Sequence, residues 1–173
     1  MRTAITLATA MIALATVPCE AQQNLCDQIK SIAAGLAVND AASLRGDNLG
    51  EDSRDRMAHY RALVTLPGMT DCQVTRDIND SHDLLYRCRM TFASAAEMND
   101  EKTQIQTGIE ACFPQAQISS LPVSSPTYTT YTRLGGDSAV VVAYQHVKDW
   151  PNVPAEEKSQ FEVIVLVSAG PLR

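Results

Sequence analysis

The sequence predicts an α+β domain in which an antiparallel sheet of about five strands packs on one face against two or three helices. Three observations support this fold class. Five segments show the alternation or density of strand-forming residues, two or three show helical periodicity, and the cysteines suffice for two disulfides. The predicted strands are interrupted by one helix and preceded by the others, an order typical of α+β proteins.

The N-terminal segment has the pattern of a secretory signal peptide. Arg2 precedes an apolar, uncharged run from Ala4 to Val17, and small residues follow up to Ala21. We therefore predict cleavage after Ala21, with a signal at residues 1–21 and a single domain at residues 22–173. An earlier cut after Ala15 is the alternative. The apolar run is shorter than the ~20 residues of a membrane-spanning helix, so no transmembrane segment is expected in the mature chain.

The cysteine count supports export to the periplasm or the extracellular space. The five cysteines are Cys19, Cys26, Cys72, Cys88 and Cys112. Removing Cys19 with the signal leaves four, the even number that a disulfide framework requires. A lipid anchor on Cys19 is disfavoured, because Thr16-Val17-Pro18 lacks the leucine and small residues expected before such a cysteine.

Two helices are predicted before the first strand. From Asn24 to Leu36, apolar residues recur at the spacing of one helical face. Ala41 to Asp55 is rich in Gly, Asp, Asn and Ser, which indicates an exposed acidic loop. Ser53 is then expected to cap a second helix that ends at Pro67-Gly68. Its buried face would contain Met57, Tyr60 and Val64.

A hairpin is the clearest local feature. Two alternating segments, Cys72 to Arg76 and Leu84 to Phe92, flank a polar turn from Asp77 to Asp83. A turn centred on Asp80 places three pairs of residues opposite each other: Cys72 with Cys88, Val74 with Tyr86, and Arg76 with Leu84. This register predicts a Cys72–Cys88 disulfide, provided that the two residues form a non-hydrogen-bonded pair.

A third helix follows the hairpin. Ser94 and Glu97 have the spacing of a capping box, and the helical pattern continues to about Cys112, before Pro114. By elimination, Cys112 pairs with Cys26 and ties this helix to the first one.

The last third of the chain is rich in strand-forming residues. Strands are predicted at 128–133, 140–144 and 161–169, with a hairpin turn at Gly135-Gly136-Asp137. The Ser- and Pro-containing segment from Ser119 to Pro126 is a candidate hinge between the cysteine-linked front half and the β-rich back half.

Charge and motifs exclude several function classes. A formal net charge of −6, with scattered basic residues, argues against nucleic acid or an anionic membrane surface as the main partner. The sequence contains no zinc, phosphate-loop or serine-hydrolase motif, so no metal and no cofactor is predicted. Asp77 to Asp83 spaces oxygen ligands like a calcium loop, but His82 and Cys88 replace the required glycine and glutamate. A polar turn is the simpler interpretation.

Two other short segments carry candidate functions. Arg45-Gly46-Asp47 matches an adhesion tripeptide and falls in a predicted loop, although Gly-Asp is also common turn chemistry. Trp150, Pro151 and Asn152 form the best binding candidate, because an aromatic residue in a proline-stiffened loop offers contact area at low entropic cost. The competing interpretation is that the indole covers the open end of the sheet as part of the core.

These observations favour an exported, disulfide-stabilised binding module. Its expected partner is a protein or an envelope component, as for an inhibitor, an immunity-type protein or an assembly factor. The alternative is a small exported hydrolase with a site near His146 and Asp149 and a serine from elsewhere in the chain. A structural envelope protein without a specific ligand is a third interpretation.

Overall fold

The protein is an eight-stranded antiparallel sheet with two α-helices. The structure, a computed structural model, describes residues 19–52, 56–78, 84–122, 127–132, 134, 138–146 and 160–169. The helices are α1 (Cys19–Leu36) and α2 (Ala95–Cys112). The strands are β1 (Arg45–Asp52), β2 (Met57–Ala62), β3 (Asp71–Asp77), β4 (Leu84–Phe92), β5 (Gln117–Pro122), β6 (Thr127–Thr132), β7 (Ala139–His146) and β8 (Phe161–Ser168).

The strand order divides the molecule into two similar halves. The order is β1-β2-β3-β4-β8-β7-β6-β5, and every neighbouring pair is antiparallel. Each half is a helix followed by four strands joined in sequence, and the halves meet where β4 pairs with β8. The fold class is as predicted, but the prediction of about five strands was wrong, because β1, β2 and β5 add three.

Strand β2 replaces the predicted second helix. Met57, Tyr60 and Val64 fit a helical spacing, but the side chains that the fold shelters alternate with a period of two: Ala58 and Ala62 are buried, and Tyr60 is half-buried. The intervening residues, His59 and Arg61, lie on the other face of the sheet. A segment of six residues satisfies either period, and pairing with β3 decides for the strand.

The predicted acidic loop and hinge also contain strands. β1 occupies most of the segment expected to be a loop, and it is exposed along most of its length. An edge strand of this kind needs no apolar alternation, because backbone pairing with β2 holds it. Gln117–Pro122 forms β5 in the same sheet as the front half, so the hinge prediction was wrong for its first four residues.

The predicted hairpin register and both disulfides are confirmed. Cys72 lies opposite Cys88, and the two other predicted pairs of β3 and β4 also match. The Cα atoms of Cys72 and Cys88 are 4.1 Å apart, the close approach of a non-hydrogen-bonded pair. Cys26 is bonded to Cys112, which links α1 to α2. Ser94 caps α2 as predicted, since its hydroxyl accepts from the Glu97 amide at 3.3 Å.

The main core lies between the two helices and one face of the sheet, here called the helix-bearing face. α1 and α2 both pack across the β4–β8 junction. The fully buried side chains include Ile29, Ile32, Val74, Tyr86, Cys88, Ile109, Tyr131, Val140, Val142, Val163, Val165 and Val167. No helix in the described part of the chain is long and apolar enough to cross a membrane.

Candidate binding surface

The second face of the sheet, opposite the helices, carries an apolar cluster on β7 and β8 beside a larger polar area. Four apolar residues of β7 and β8 on this face are sheltered: Ala139, Val141, Ala143 and Ile164 are at most 6% exposed. They do not belong to the main core, because they alternate with the residues that face the helices. Residues of β2, β3 and β4 on the same face are mostly polar.

A continuous chain of polar contacts crosses four strands on this face. His59 Nδ1 lies 3.3 Å from Gln73 Oε1, and Gln73 Nε2 donates to Asp71 Oδ1 at 3.3 Å. Arg89 then joins two acids: its Nη2 donates to Asp71 Oδ2 at 2.6 Å, and its Nη1 donates to Glu162 Oε1 at 3.3 Å. We call these five residues, together with Arg87, the polar strip.

Arg87 differs from Arg89 in its partners. It is half-buried between two cross-strand neighbours, Gln73 on β3 and Leu166 on β8. No carboxylate among the described residues lies within ion-pair distance of Arg87, whereas Arg89 contacts two. Burial lowers the pKa of Arg87 below its ordinary value, and the charge of Arg89 lowers it further, although Glu162 and Asp71 oppose this. Arg87 is therefore a partly desolvated cation that no described carboxylate contacts directly.

An arginine in this position is suited to holding an anion. Its guanidinium group presents five donors in a planar fork that matches a carboxylate or a phosphate. Partial burial weakens the competition from water, so a charge-assisted contact there is stronger than at a fully exposed site. The histidine of the strip contacts an amide, Gln73, rather than a carboxylate that could orient it for proton transfer. The arrangement therefore fits anion recognition better than acid–base chemistry.

The catalytic candidates from the sequence are placed only in part. His146 is the last residue of β7 and pairs with Phe161 of β8. Asp149 lies outside the described residues, as do Trp150, Pro151 and Asn152, so these predictions remain predictions. Residues 79–83, most of the calcium-like segment, also lie outside. In the described ranges, no group of three or more His, Cys, Asp and Glu residues could hold a metal ion.

The adhesion tripeptide lies in a strand rather than in a loop. Arg45 begins β1, its Nη2 lies 2.7 Å from Asp40 Oδ2, and its guanidinium group lies over the Tyr60 ring at 4.8 Å. These contacts occupy Arg45 within the fold. The loop presentation expected for Arg45-Gly46-Asp47 was therefore wrong.

The polar strip was not predicted from the sequence, although the necessary signal was present. Arg87 and Arg89 stand out in the sequence as a close basic pair, but scattered basic residues elsewhere argued against basic recognition. The predicted hairpin register already placed Arg87 opposite Gln73 and Arg89 opposite Asp71. Only the pairing of β4 with β8, which brings Glu162 to Arg89, required the tertiary structure.

Comparison with known proteins finds no matching family model, no similar curated protein and no similar solved structure.

Proposed function

We propose that this protein is an exported, disulfide-stabilised binding module that recognises an anionic group of a protein or envelope component through the polar strip. Arg87 is the proposed anchor for that group. The observation that carries the proposal is the contrast between the two arginines: Arg89 already contacts two carboxylates, and Arg87 is half-buried with no carboxylate of the described residues at ion-pair distance. A carboxylate or phosphate of the partner would supply the counter-ion.

The scaffold beneath the strip is suited to rigid recognition. The strip lies on β2, β3, β4 and β8, which are paired residue by residue. The Cys72–Cys88 disulfide links β3 to β4 directly beneath it, on the helix-bearing face. A surface held in this way loses little conformational entropy when a partner binds, and so retains more of the contact energy as affinity.

The residues that flank the predicted recognition loop lie next to a member of the strip. The segment between β7 and β8 contains Trp150, Pro151 and Asn152, and the residues that flank it, His146 and Phe161, are paired. The next pair along the strands contains Glu162, a member of the strip. We therefore include this loop in the proposed binding surface, as a second contact for the same partner.

The proposal is tested by capture of a partner from an envelope or culture-fluid extract with wild type and two single variants. Arg87→Ala removes the anchor. Lys30→Ala removes one positive charge from an exposed position on α1, on the other side of the sheet. We expect Arg87→Ala to reduce capture by about tenfold or more, because a charge-assisted hydrogen bond to the partner is lost. Lys30→Ala should capture as wild type does.

Two further variants define the surface and the rival function. Trp150→Ala should weaken capture if the loop contacts the same partner, once its thermal stability is shown to match wild type.

Equal capture by wild type and Arg87→Ala would contradict the role of Arg87, and failure of wild type to capture any partner would contradict the binding function. In that case, hydrolase activity that is lost in His146→Ala would establish the alternative enzyme.

A further inference from the structure

The two edges of the sheet are equivalent in topology but not in chemistry. β1 is the first strand of the first half, and β5 is the first strand of the second half. Each lies at the outer end of its half, and within the described part of the chain each pairs on one side only. An unpaired edge presents free backbone N–H and C=O groups to any other strand, and proteins usually block such edges. A difference between equivalent edges is therefore not imposed by the fold.

Strand β1 has several features that block pairing. Its register with β2 shifts twice, between Arg45 and Asn48 and again before Gly50. Gly50 has a φ of 124°, a conformation that L side chains rarely adopt, so the strand is irregular there. Three exposed acidic residues also lie along it: Asp47, Glu51 and Asp52. A second strand that approached this edge would meet both an irregular backbone and negative charge.

Strand β5 lacks these features. It pairs with β6 through six consecutive residues without a register shift. Neither strand contains a charged residue. Residues 117–120 are exposed, and Ile118 is 54% exposed. Pro122, which has no backbone N–H, limits further pairing only at the end of the strand.

We propose that β5 pairs antiparallel with β5 of a second copy of this chain. A strand that pairs antiparallel with its own copy forms a two-fold contact, the commonest symmetry of soluble oligomers. A two-fold axis perpendicular to the sheet keeps the helices of both copies on the same side. Ile118, whose cross-strand partner Tyr131 lies in the helix-side core, would then be on that side in both copies and lose its exposure.

The charge distribution confines contact between two copies to this edge. The chain carries a formal net charge of −6, so two copies repel each other over most of their surface. The twelve residues of β5 and β6 form an uncharged margin where two copies can approach. Of the sheet edges that the described strands form, the dimer would leave the two β1 edges unpaired, and those are the blocked ones. This inference does not depend on the proposed anion site.

Sedimentation velocity across a dilution series tests the inference. The sample is the protein purified from an oxidising compartment with both disulfides formed. Ile118→Lys places a charge in the proposed contact of each copy, and Leu49→Lys is the matched control, because Leu49 is a similarly exposed apolar residue on β1, 47% exposed. We expect wild type and Leu49→Lys to dimerise at high concentration and to dissociate on dilution, and Ile118→Lys to remain a monomer.

Amide hydrogen exchange of wild type locates the contact independently of any variant. The amides in residues 117–121 whose N–H groups point away from β6 should become more protected as concentration rises, while those of β1 should not change. A wild-type protein that stays monomeric throughout the series would overturn the inference. So would a dimer that Ile118→Lys leaves intact, or one that Leu49→Lys also disrupts.

Discussion

At the scale of single residues, Glu162 shows how the second face tolerates a buried acid. Its side chain is only 6% exposed, and Arg89 Nη1 lies 3.3 Å from its Oε1. Arg89 is 38% exposed and also holds Asp71, so one partly hydrated cation serves two carboxylates. A buried carboxylate without such a partner is costly, because its lost hydration is not replaced.

We predict that Arg89→Ala lowers the free energy of unfolding by about 1 to 2 kcal/mol, because charge-assisted hydrogen bonds to Asp71 and Glu162 are lost. Arg61→Ala, an exposed arginine on the same face, should change it by less than about 0.5 kcal/mol. Urea unfolding of both variants at neutral pH measures the difference. Equal stability of the two variants would show that Arg89 does not stabilise the strip.

The burial of Tyr86 predicts that the stability of the fold decreases at alkaline pH. Its ring is fully buried, and its hydroxyl donates to the Val64 carbonyl at 2.7 Å. Burial raises the pKa of Tyr86 well above its ordinary value of 10.0. Above pH 10 the unfolded chain therefore loses this proton while the folded chain keeps it. The contribution of protonated Tyr86 to the free energy of unfolding is complete below pH 10 and is lost as pH rises further.

In Tyr86→Phe, the decline of stability above pH 10 should be shallower by up to about 1.4 kcal/mol per pH unit, since one titrating group is removed. Urea unfolding at several alkaline pH values gives the two slopes. Tyr131, whose pKa is also raised by burial and by Glu110, remains in the variant and keeps part of the slope. Identical slopes in the two proteins would contradict the assignment to Tyr86.

At the scale of elements, sequence patterns predicted the structure well where one face of an element is buried. The β3–β4 hairpin alternates strictly because one of its faces lies in the core, and this alternation gave both the register and the Cys72–Cys88 bond. The two α-helices were predicted for the same reason. α1 buries Ile29, Ile32 and Leu36 at helical spacing.

The strands that were missed are the edges and a short strand beside one edge. β1 and the described side chains of β5 are largely exposed on both faces, so no hydrophobic period marks them. β2 has only six residues, too few to distinguish the two periods. In these cases pairing with a neighbouring strand decides the structure. A local sequence pattern carries no information about which strand that neighbour is.

The N-terminal cap of helix α2 was predicted from the local sequence, and its contribution to stability can be tested. The Ser94 hydroxyl accepts from the Glu97 amide and so satisfies one of the free N–H groups at the start of the helix. We predict that Ser94→Ala lowers the free energy of unfolding by about 1 kcal/mol. Ser94→Asp retains a capping acceptor and should unfold at the wild-type urea concentration. A loss of similar size in both variants would mean that the cap does not stabilise the helix.

At the scale of the whole molecule, the two halves depend on each other. Each half contributes one central strand to the β4–β8 junction, and each contributes one helix that packs across it. The Cys26–Cys112 disulfide links those helices over a sequence separation of 86 residues. The two halves therefore share one core.

This shared core predicts a single unfolding transition. Differential scanning calorimetry of the oxidised protein should give one peak, with a calorimetric enthalpy equal to the van't Hoff enthalpy. Loss of the Cys26–Cys112 link in Cys26→Ala/Cys112→Ala should lower the free energy of unfolding by about 4 to 5 kcal/mol in the chain-entropy model. Two resolved peaks in the oxidised protein would show that the halves unfold separately.

The proposed binding surface also depends on contacts between segments that are far apart in the chain. Arg87 is one of several arginines in the sequence, and its lack of a counter-ion among the described residues depends on Arg89 contacting acids from two other strands. One of those acids, Glu162, lies more than seventy residues away in the chain. Sequence reasoning can place Arg87 on a strand face, but it cannot show that Arg89 has two ion-pair partners among the described residues and Arg87 has none.

The most direct test of the proposed binding surface is backbone-amide NMR of the oxidised protein during titration with inorganic phosphate and with a glutamate-rich peptide. We predict saturable shift changes that are largest at Gln73, Arg87 and Leu166, and that disappear in Arg87→Ala. The largest changes on the helix-bearing face, or no saturable change with either probe, would contradict recognition of an anion by the polar strip.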